Sequence, residues 1–265
     1  MNRPLSKLAQ ETGHKARKRF GQNFLIDQGI IHGIVDAVNP RPGEQVVEIG
    51  PGLGALTQPL LERAGHLHVV ELDRDLITRL EKKYTREQMT IHAGDALQFD
   101  FSTLGPELRV VGNLPYNIST PILFHLLDKV EAIRDIHVML QKEVVDRMVA
   151  PPGHSDRSRL SVMLQRYCYL EPLLDVPPES FDPAPKVNSA VVRMIPRPIA
   201  DRIPVDETAL RNVVNAAFSQ RRKMVRNTLK PLLSSEQIEA AGVAPTERAE
   251  QLSEADFVAL ARQLA

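Results

Sequence analysis

The sequence predicts an α/β protein, a mostly parallel sheet wrapped by helices with antiparallel strands at one edge and a small all-α region after it. Three observations carry this. Short apolar runs rich in β-branched residues recur at residues 45–49, 67–72, 89–92, 108–111 and 136–140 with helical patterns between them, as in a parallel sheet. Two further runs, 169–176 and 189–195, are separated by a Pro-rich loop too short for a crossover helix and are expected to pair antiparallel at an edge. After Pro196, Pro198 and Pro204 the pattern is helical with no strand signal, which puts a boundary near residue 200. The expected organisation is a basic N-terminal arm over 1–27, a sheet domain over 28–199 and a helical domain over 200–265.

At 265 residues, 43% apolar and 25% charged, the chain has the composition of a soluble globular protein. No window approaches the roughly 20 apolar residues that span a bilayer, and the basic, polar N-terminus is not a secretory signal, so a cytoplasmic protein without a membrane partner is expected. The single cysteine, Cys168, lies in an apolar-aromatic run and reads as a packed thiol. Thirty-three basic residues balance 33 acidic ones, so only local clusters can favour nucleic acid. One contains Lys15, Arg17, Lys18 and Arg19; the other contains Arg221, Arg222, Lys223, Arg226 and Lys230.

The elements follow in order. Ile30, Ile31, Ile34, Val35 and Val38 at helical spacing, behind Asp27 as N-cap and before Pro40, predict a helix over 28–38. The first strand of the parallel set runs into Glu48-Ile49-Gly50-Pro51-Gly52-Leu53-Gly54, where glycines at a strand-to-helix turn let a ligand approach bare backbone. A bend is expected at Pro59 in the following helix. The spacing G-x-G-x-G departs from the dinucleotide fingerprint, and an acidic residue just before the first glycine disfavours a pyrophosphate while tolerating a cationic or zwitterionic ligand. Such a turn also serves purely structural ends.

The second strand ends in Glu71-Leu72-Asp73, where Glu71 can accept from both hydroxyls of a ribose. The third ends in Gly94-Asp95-Ala96, where Asp95 can accept an adenine amine. Each carboxylate alone is equally a solvated strand end or a cap; in register with the glycine turn they describe a nucleoside site. The fourth ends in Asn113-Leu114-Pro115-Tyr116. The Asn113 oxygen and the Leu114 carbonyl can each accept one N–H of an exocyclic amine, and Tyr116 offers a face for stacking. Taken alone, the tetrapeptide is a strand-to-turn junction.

The order E-x-G-x-G-x-G, acidic residue, Gly-Asp-Ala, Asn-Leu-Pro-Tyr resembles the S-adenosylmethionine-dependent methyltransferases that modify an adenine amine. With residues 19–25 (Arg-Phe-Gly-Gln-Asn-Phe-Leu), 112–120 and 181–187 (Phe-Asp-Pro-Ala-Pro-Lys-Val), the chain from about His14 onward is similar to the bacterial small-subunit (16S) ribosomal RNA adenine dimethyltransferases of the KsgA type. The resemblance implies a Rossmann-like sheet and S-adenosylmethionine as cofactor. It places Asn23, Leu25, Gly50, Gly52, Glu71, Asp95 and Asn113 at the cofactor, and Asn113, Leu114, Tyr116 and Phe181 at the target adenine. Asn188 departs from the Asp carried by many relatives.

The cofactor brings its own reactive methyl group, so alignment is the main demand on the protein, and no strong base or metal is required. Acceptors at Asn113 and Leu114 favour the pyramidal nitrogen and the charge developing on it. Tyr116 and Phe181 are expected to sandwich the extruded base. Over 219–229 a helix is expected, with Lys223, Arg226 and Lys230 on one flank and Phe218, Val225, Leu229 and Leu232 on the other. That pattern also describes an ordinary solvated helix. The resemblance turns it, with the arm, toward RNA phosphates.

The leading expectation is therefore a monomeric enzyme that dimethylates two adjacent adenines of the terminal 16S hairpin in an immature small ribosomal subunit. The competitors are an assembly factor that binds the particle without depending on catalysis, and the macrolide-resistance type acting on large-subunit RNA. The latter's relatives tend to read Asn-Ile-Pro-Tyr, against Leu114 here.

Overall fold

The computed structural model describes Gly13, residues 22–220 and residues 222–264. The chain forms two compact units: Met1–Val145 with Glu171–Pro196, and Asp146–Leu170 with Arg197–Ala265.

The first unit is built on a seven-stranded sheet. Its strands are β2 (Val46–Ile49), β3 (Leu67–Glu71), β4 (Met89–Ala93), β5 (Leu108–Asn113), β6 (Ile133–Gln141), β7 (Cys168–Val176) and β9 (Ser189–Pro196), in the order β4-β3-β2-β5-β6-β9-β7. The pairs among β4, β3, β2, β5 and β6 are parallel. All four residues of β2 are buried, as suits a central strand covered on both faces. The two late strands do neighbour each other at one edge, but β9 lies inside, antiparallel to β6, and β7 is outermost. Pro172 falls on that outer strand, the place in a sheet where a residue without an N–H is tolerated. A separate two-stranded sheet pairs β1 (Phe24–Leu25) with β8 (Phe181–Asp182), antiparallel.

The helix over 28–38 forms as α1 (Gln28–Val38): Asp27 accepts from Ile30 N at its start, and Asn39 in the left-handed region (φ 46°) ends it before Pro40. Its buried residues Ile31, Ile34, Val35 and Val38 enter a core with Leu60, Val69, Val111 and Val191. In α2 (Thr57–Ala64), Pro59 occupies the first turn, where its N–H would have no intrahelical partner, so the ring is accommodated there and the expected interior bend has no cause. α3 (Arg74–Lys83) is capped by Asp73. α4 (Ser119–Leu127) follows the Asn-Leu-Pro-Tyr turn, and α5 (Lys142–Val149) follows β6.

Two details fix where the sheet ends lie. Gly112 sits against β2 so closely that a Cβ there would stand 2.8 Å from the Ile49 carbonyl oxygen. At the opposite end of β5, the buried Arg109 donates to the Val38 carbonyl at 2.6 Å, terminating α1, and pairs with Asp135 at 2.7 Å and Glu44 at 2.8 Å. Each guanidinium donor has an acceptor, as a buried charge requires.

The second unit contains α6 (Arg159–Tyr167), α7 (Glu207–Ala217), α8 (Val225–Thr228), α9 (Ser235–Ala240) and α10 (Glu254–Arg262). Arg166, 1% exposed, pairs with Glu207 at 2.5 Å and Glu254 at 3.0 Å, and Arg157 donates to the Leu252 carbonyl at 3.1 Å. These bonds explain why residues 146–170 group with the C-terminal helices, a discontinuity that a single boundary near residue 200 does not contain. The helix expected over 219–229 is corrected: α7 stops at Ala217, Arg222 is left-handed (φ 73°), and only the four residues of α8 are helical. Among the described residues no helix is long and apolar enough to cross a membrane.

Candidate active site

The C-terminal ends of β2, β3, β4 and β5 surround one cavity of about 970 Å³, with residues 22–26 and Asp182 along another side. Asn23, Leu25, Gly50, Gly52, Glu71, Asp95, Asn113, Leu114 and Tyr116 all line it.

The glycine turn leaves β2 with Gly50 and Gly52 at φ 67° and 59°, a region side-chain-bearing residues rarely enter. At Gly52 space is short as well, since a Cβ would meet two carbons of the Phe24 ring at 3.3 Å. Beneath the turn lies Glu48, buried, its Oε2 accepting from the Thr57 hydroxyl at 2.6 Å. Burial pushes its carboxyl up to about 7, with the Thr57 bond opposing and the Glu71 charge adding to the rise.

Glu71 is held by its own turn. Oε1 accepts from Leu72 N at 2.9 Å and Asp73 N at 2.8 Å, while Oε2 faces Gly52 N at 3.4 Å. Burial raises its pKa, and these backbone bonds oppose the rise. Asp95 Oδ1 accepts from Leu97 N at 2.9 Å, which fixes the side chain at the mouth of the third strand end. Leu72, 50% exposed, adds an apolar surface to the cavity lining that sequence reasoning did not assign; its signal is an apolar residue left out of the core directly after the strand's acidic end. Gln22 and Thr57 were missed too, and both are polar residues whose partners lie far along the chain or beneath a turn.

At the end of β5 the Asn113 side-chain nitrogen donates to the Asn23 carbonyl at 3.1 Å, which turns Oδ1 into the outward acceptor. The Leu114 side chain is buried and its N–H bonds Met139 O at 3.1 Å, so the carbonyl before Pro115 is rigidly placed. The Tyr116 hydroxyl is 2.6 Å from Ser189 Oγ, anchoring the half-buried ring; burial pushes the phenol pKa up and keeps it neutral.

Phe181 departs from its expected place. Its ring is 3% exposed and belongs to the core with Leu25, Ile31 and Val35, because pairing of β8 with β1 sets Phe181 opposite Leu25 and turns it away from solvent. It is not among the cavity-lining residues, whereas Tyr116 is.

In the second unit Arg222, Lys223, Arg226 and Lys230 are exposed, along the turn before α8, α8 itself and the segment just after it. Lys15, Arg17, Lys18, Arg19 and Arg221 lie outside the described residues. Among the described residues no group of three His, Cys, Asp or Glu is arranged to hold a metal.

The family model described as "Ribosomal RNA adenine dimethylase" matches residues 13–265. "Ribosomal RNA small subunit methyltransferase A" of Dechloromonas aromatica is 61% identical over 252 residues, 95% of this chain and 99% of the relative. The protein of the same name from Thiobacillus denitrificans is 62% identical over the same coverage. Among solved structures, a dimethyladenosine transferase from Plasmodium falciparum aligns with a TM-score of 0.73 at 25% identity, over 89% of this chain and 95% of that one. The 23S rRNA methyltransferase ErmE aligns with a TM-score of 0.69 at 25% identity, over 91% and 99%.

Proposed function

Since the chain belongs to the ribosomal RNA adenine dimethylase family, we propose that it transfers methyl groups from S-adenosylmethionine to the N6 amines of two adjacent adenines in the terminal hairpin of 16S ribosomal RNA. The observation that carries this is one cavity holding both halves of the chemistry: acidic strand ends suited to a nucleoside, and the Asn113–Tyr116 corner suited to a second, extruded base.

The residues fit that cofactor. Glu71, its carboxylate oriented by three backbone N–H groups, would take the ribose hydroxyls, and Asp95 the adenine amine. The positive-φ glycine turn lets the ligand lie against backbone, and Glu48 beneath it suits a cationic amino-acid end. When bound, the sulfonium supplies an electrophilic methyl carbon and a neutral sulfur leaving group.

The protein's own part is alignment and charge stabilisation. Asn113 Oδ1 and the Leu114 carbonyl accept the two amine hydrogens, which draws the nitrogen lone pair out of the ring and toward the methyl carbon. The same two acceptors would stabilise the positive charge that develops on the nitrogen, which would then pass a proton to water. A second round needs only one acceptor, because the monomethylated amine has one N–H left. Tyr116, fixed through Ser189, provides a stacking face worth about 1–3 kcal/mol.

The substrate reading extends to an immature small subunit met by a monomer in the cytoplasm. Supporting it are the basic groups of the second unit, which suit phosphate contacts that are not sequence-specific. Incubating the purified protein with methyl-labelled cofactor and immature small subunits should yield dimethyladenosine in 16S RNA by mass spectrometry. A folded protein that leaves this RNA unlabelled, or that labels large-subunit RNA instead, overturns the reading.

A further inference from the structure

Residues 22–25 form a strap fastened at three strand ends. Gln22 Nε2 donates to Asp73 Oδ2 at 3.2 Å, just past β3. The next residue, Asn23, presents the carbonyl that accepts from Asn113 at the end of β5. Phe24 then lays its ring against Gly52 in the turn after β2, and Leu25 pairs opposite Phe181.

Asp73 is a rigid anchor for the first of these. It is buried, its Oδ1 caps α3 by accepting from Asp75 N at 3.1 Å, and its own N–H donates to Glu71 Oε1 at 2.8 Å. The strand that carries the strap is only two residues long, so its ladder bonds alone place the Asn23 carbonyl poorly. A side-chain anchor one residue away sets that carbonyl, and the carbonyl in turn decides which atom of Asn113 points into the cavity.

We propose that Gln22 is a positioning residue: by tying the strap to the Glu71–Asp73 turn, it locks the Asn113 amide with its oxygen toward the target base. This rests on the methyl-transfer reading above. Gln22 touches no reacting atom. Its effect passes from the cofactor-side turn to the base-side acceptor through two hydrogen bonds and one residue of backbone.

The test reverses the polarity of the bond in the full-length protein. Q22E sets a carboxylate against the Asp73 carboxylate and removes the donor. Adding D73N restores a hydrogen bond, now donated by residue 73, while the asparagine oxygen still caps α3. Expected with immature small subunits is a fall in kcat of about tenfold or more for Q22E, with the KM for RNA moving less than about threefold, and recovery in Q22E/D73N to within about threefold of the original protein. A second readout needs no catalysis: the Asn113 side-chain amide signal in asparagine-¹⁵N-labelled protein, assigned by its loss in N113A, should shift in Q22E and return in the double variant. If Q22E/D73N folds but stays as slow as Q22E, or the amide signal ignores both changes, the positioning role is wrong. If the unaltered protein transfers no methyl group, the methyl-transfer reading falls, and the amide signal still decides the role of Gln22.

Discussion

Asn113 and Asn23, 90 positions apart in the chain, are joined by a single hydrogen bond from the side-chain amide of the first to the backbone carbonyl of the second. This bond assigns the Asn113 oxygen to the cavity, and it separates two roles that substitutions can test.

Asn113→Ala removes the acceptor, and methyl transfer should drop by about 10²-fold or more, the scale for losing one aligned electrostatic partner. Asn113→Asp keeps an acceptor but cannot donate to Asn23, and its carboxylate faces that carbonyl unfavourably. It should also be impaired, though its oxygens can still accept from an amine. Single-turnover rates with thermal melts for both variants check this; an Asn113→Asp protein as fast as the original would show that the Asn23 bond is dispensable.

Glu48 links stability to pH. Its carboxyl titrates at about 7 in the folded chain against an ordinary value of 4.5. Between those values the unfolded chain has lost the proton that the folded one still holds, so stability falls as pH rises through this window. The full loss, reached above pH 7, is on the order of 3 kcal/mol. Glu48→Gln, which keeps an acceptor for Thr57, should abolish this slope. Urea midpoints of both proteins at pH 5 and pH 8 give the comparison, and parallel pH profiles would remove Glu48 as the cause.

Gly112→Ala should destabilise the first unit by about 1–3 kcal/mol. The added methyl carbon would stand 2.8 Å from the Ile49 carbonyl oxygen and 3.1 Å from Leu114 Cδ2, and the first of these is sheet backbone that cannot swing aside. Since strain there displaces the neighbouring Asn113, methyl transfer should fall by more than the loss of folded protein accounts for. Denaturation and activity measured on one preparation decide it.

How far the sequence revealed all this depends on how local each determinant is. The parallel strands, the capped helix at Asp27 and the acidic and glycine strand ends announce themselves because periodicity, capping and turn chemistry act within a few residues. The insertion of β9 between β6 and β7 follows from pairing between distant segments, and no local pattern encodes it. The resemblance sets Phe181 at the target adenine, where a core plug beneath the Pro-rich loop is the other reading, and its pairing with Leu25, 156 residues earlier, buries the ring. The expected helix over 219–229 failed on a backbone event, the left-handed Arg222, at a residue type with no intrinsic preference for that region.

That turn changes what the basic cluster can do. Lys223 precedes α8 and Lys230 follows it, so the charges with Arg226 lie along a turn, a short helix and a loop rather than on one helical flank. All three side chains are exposed, which lets them reach phosphates without a desolvation penalty. Replacing Lys223, Arg226 and Lys230 together by Gln should weaken RNA binding and flatten its salt dependence, by about 2 in the slope of log K against log salt if all three contact single-stranded phosphates. Cofactor affinity should not change, because none of these residues lines the cavity. Binding to a 16S hairpin titrated at several salt concentrations reads the slope directly. An unchanged slope would make the cluster ordinary solvated surface and move the search for the RNA contact to other basic residues of the chain.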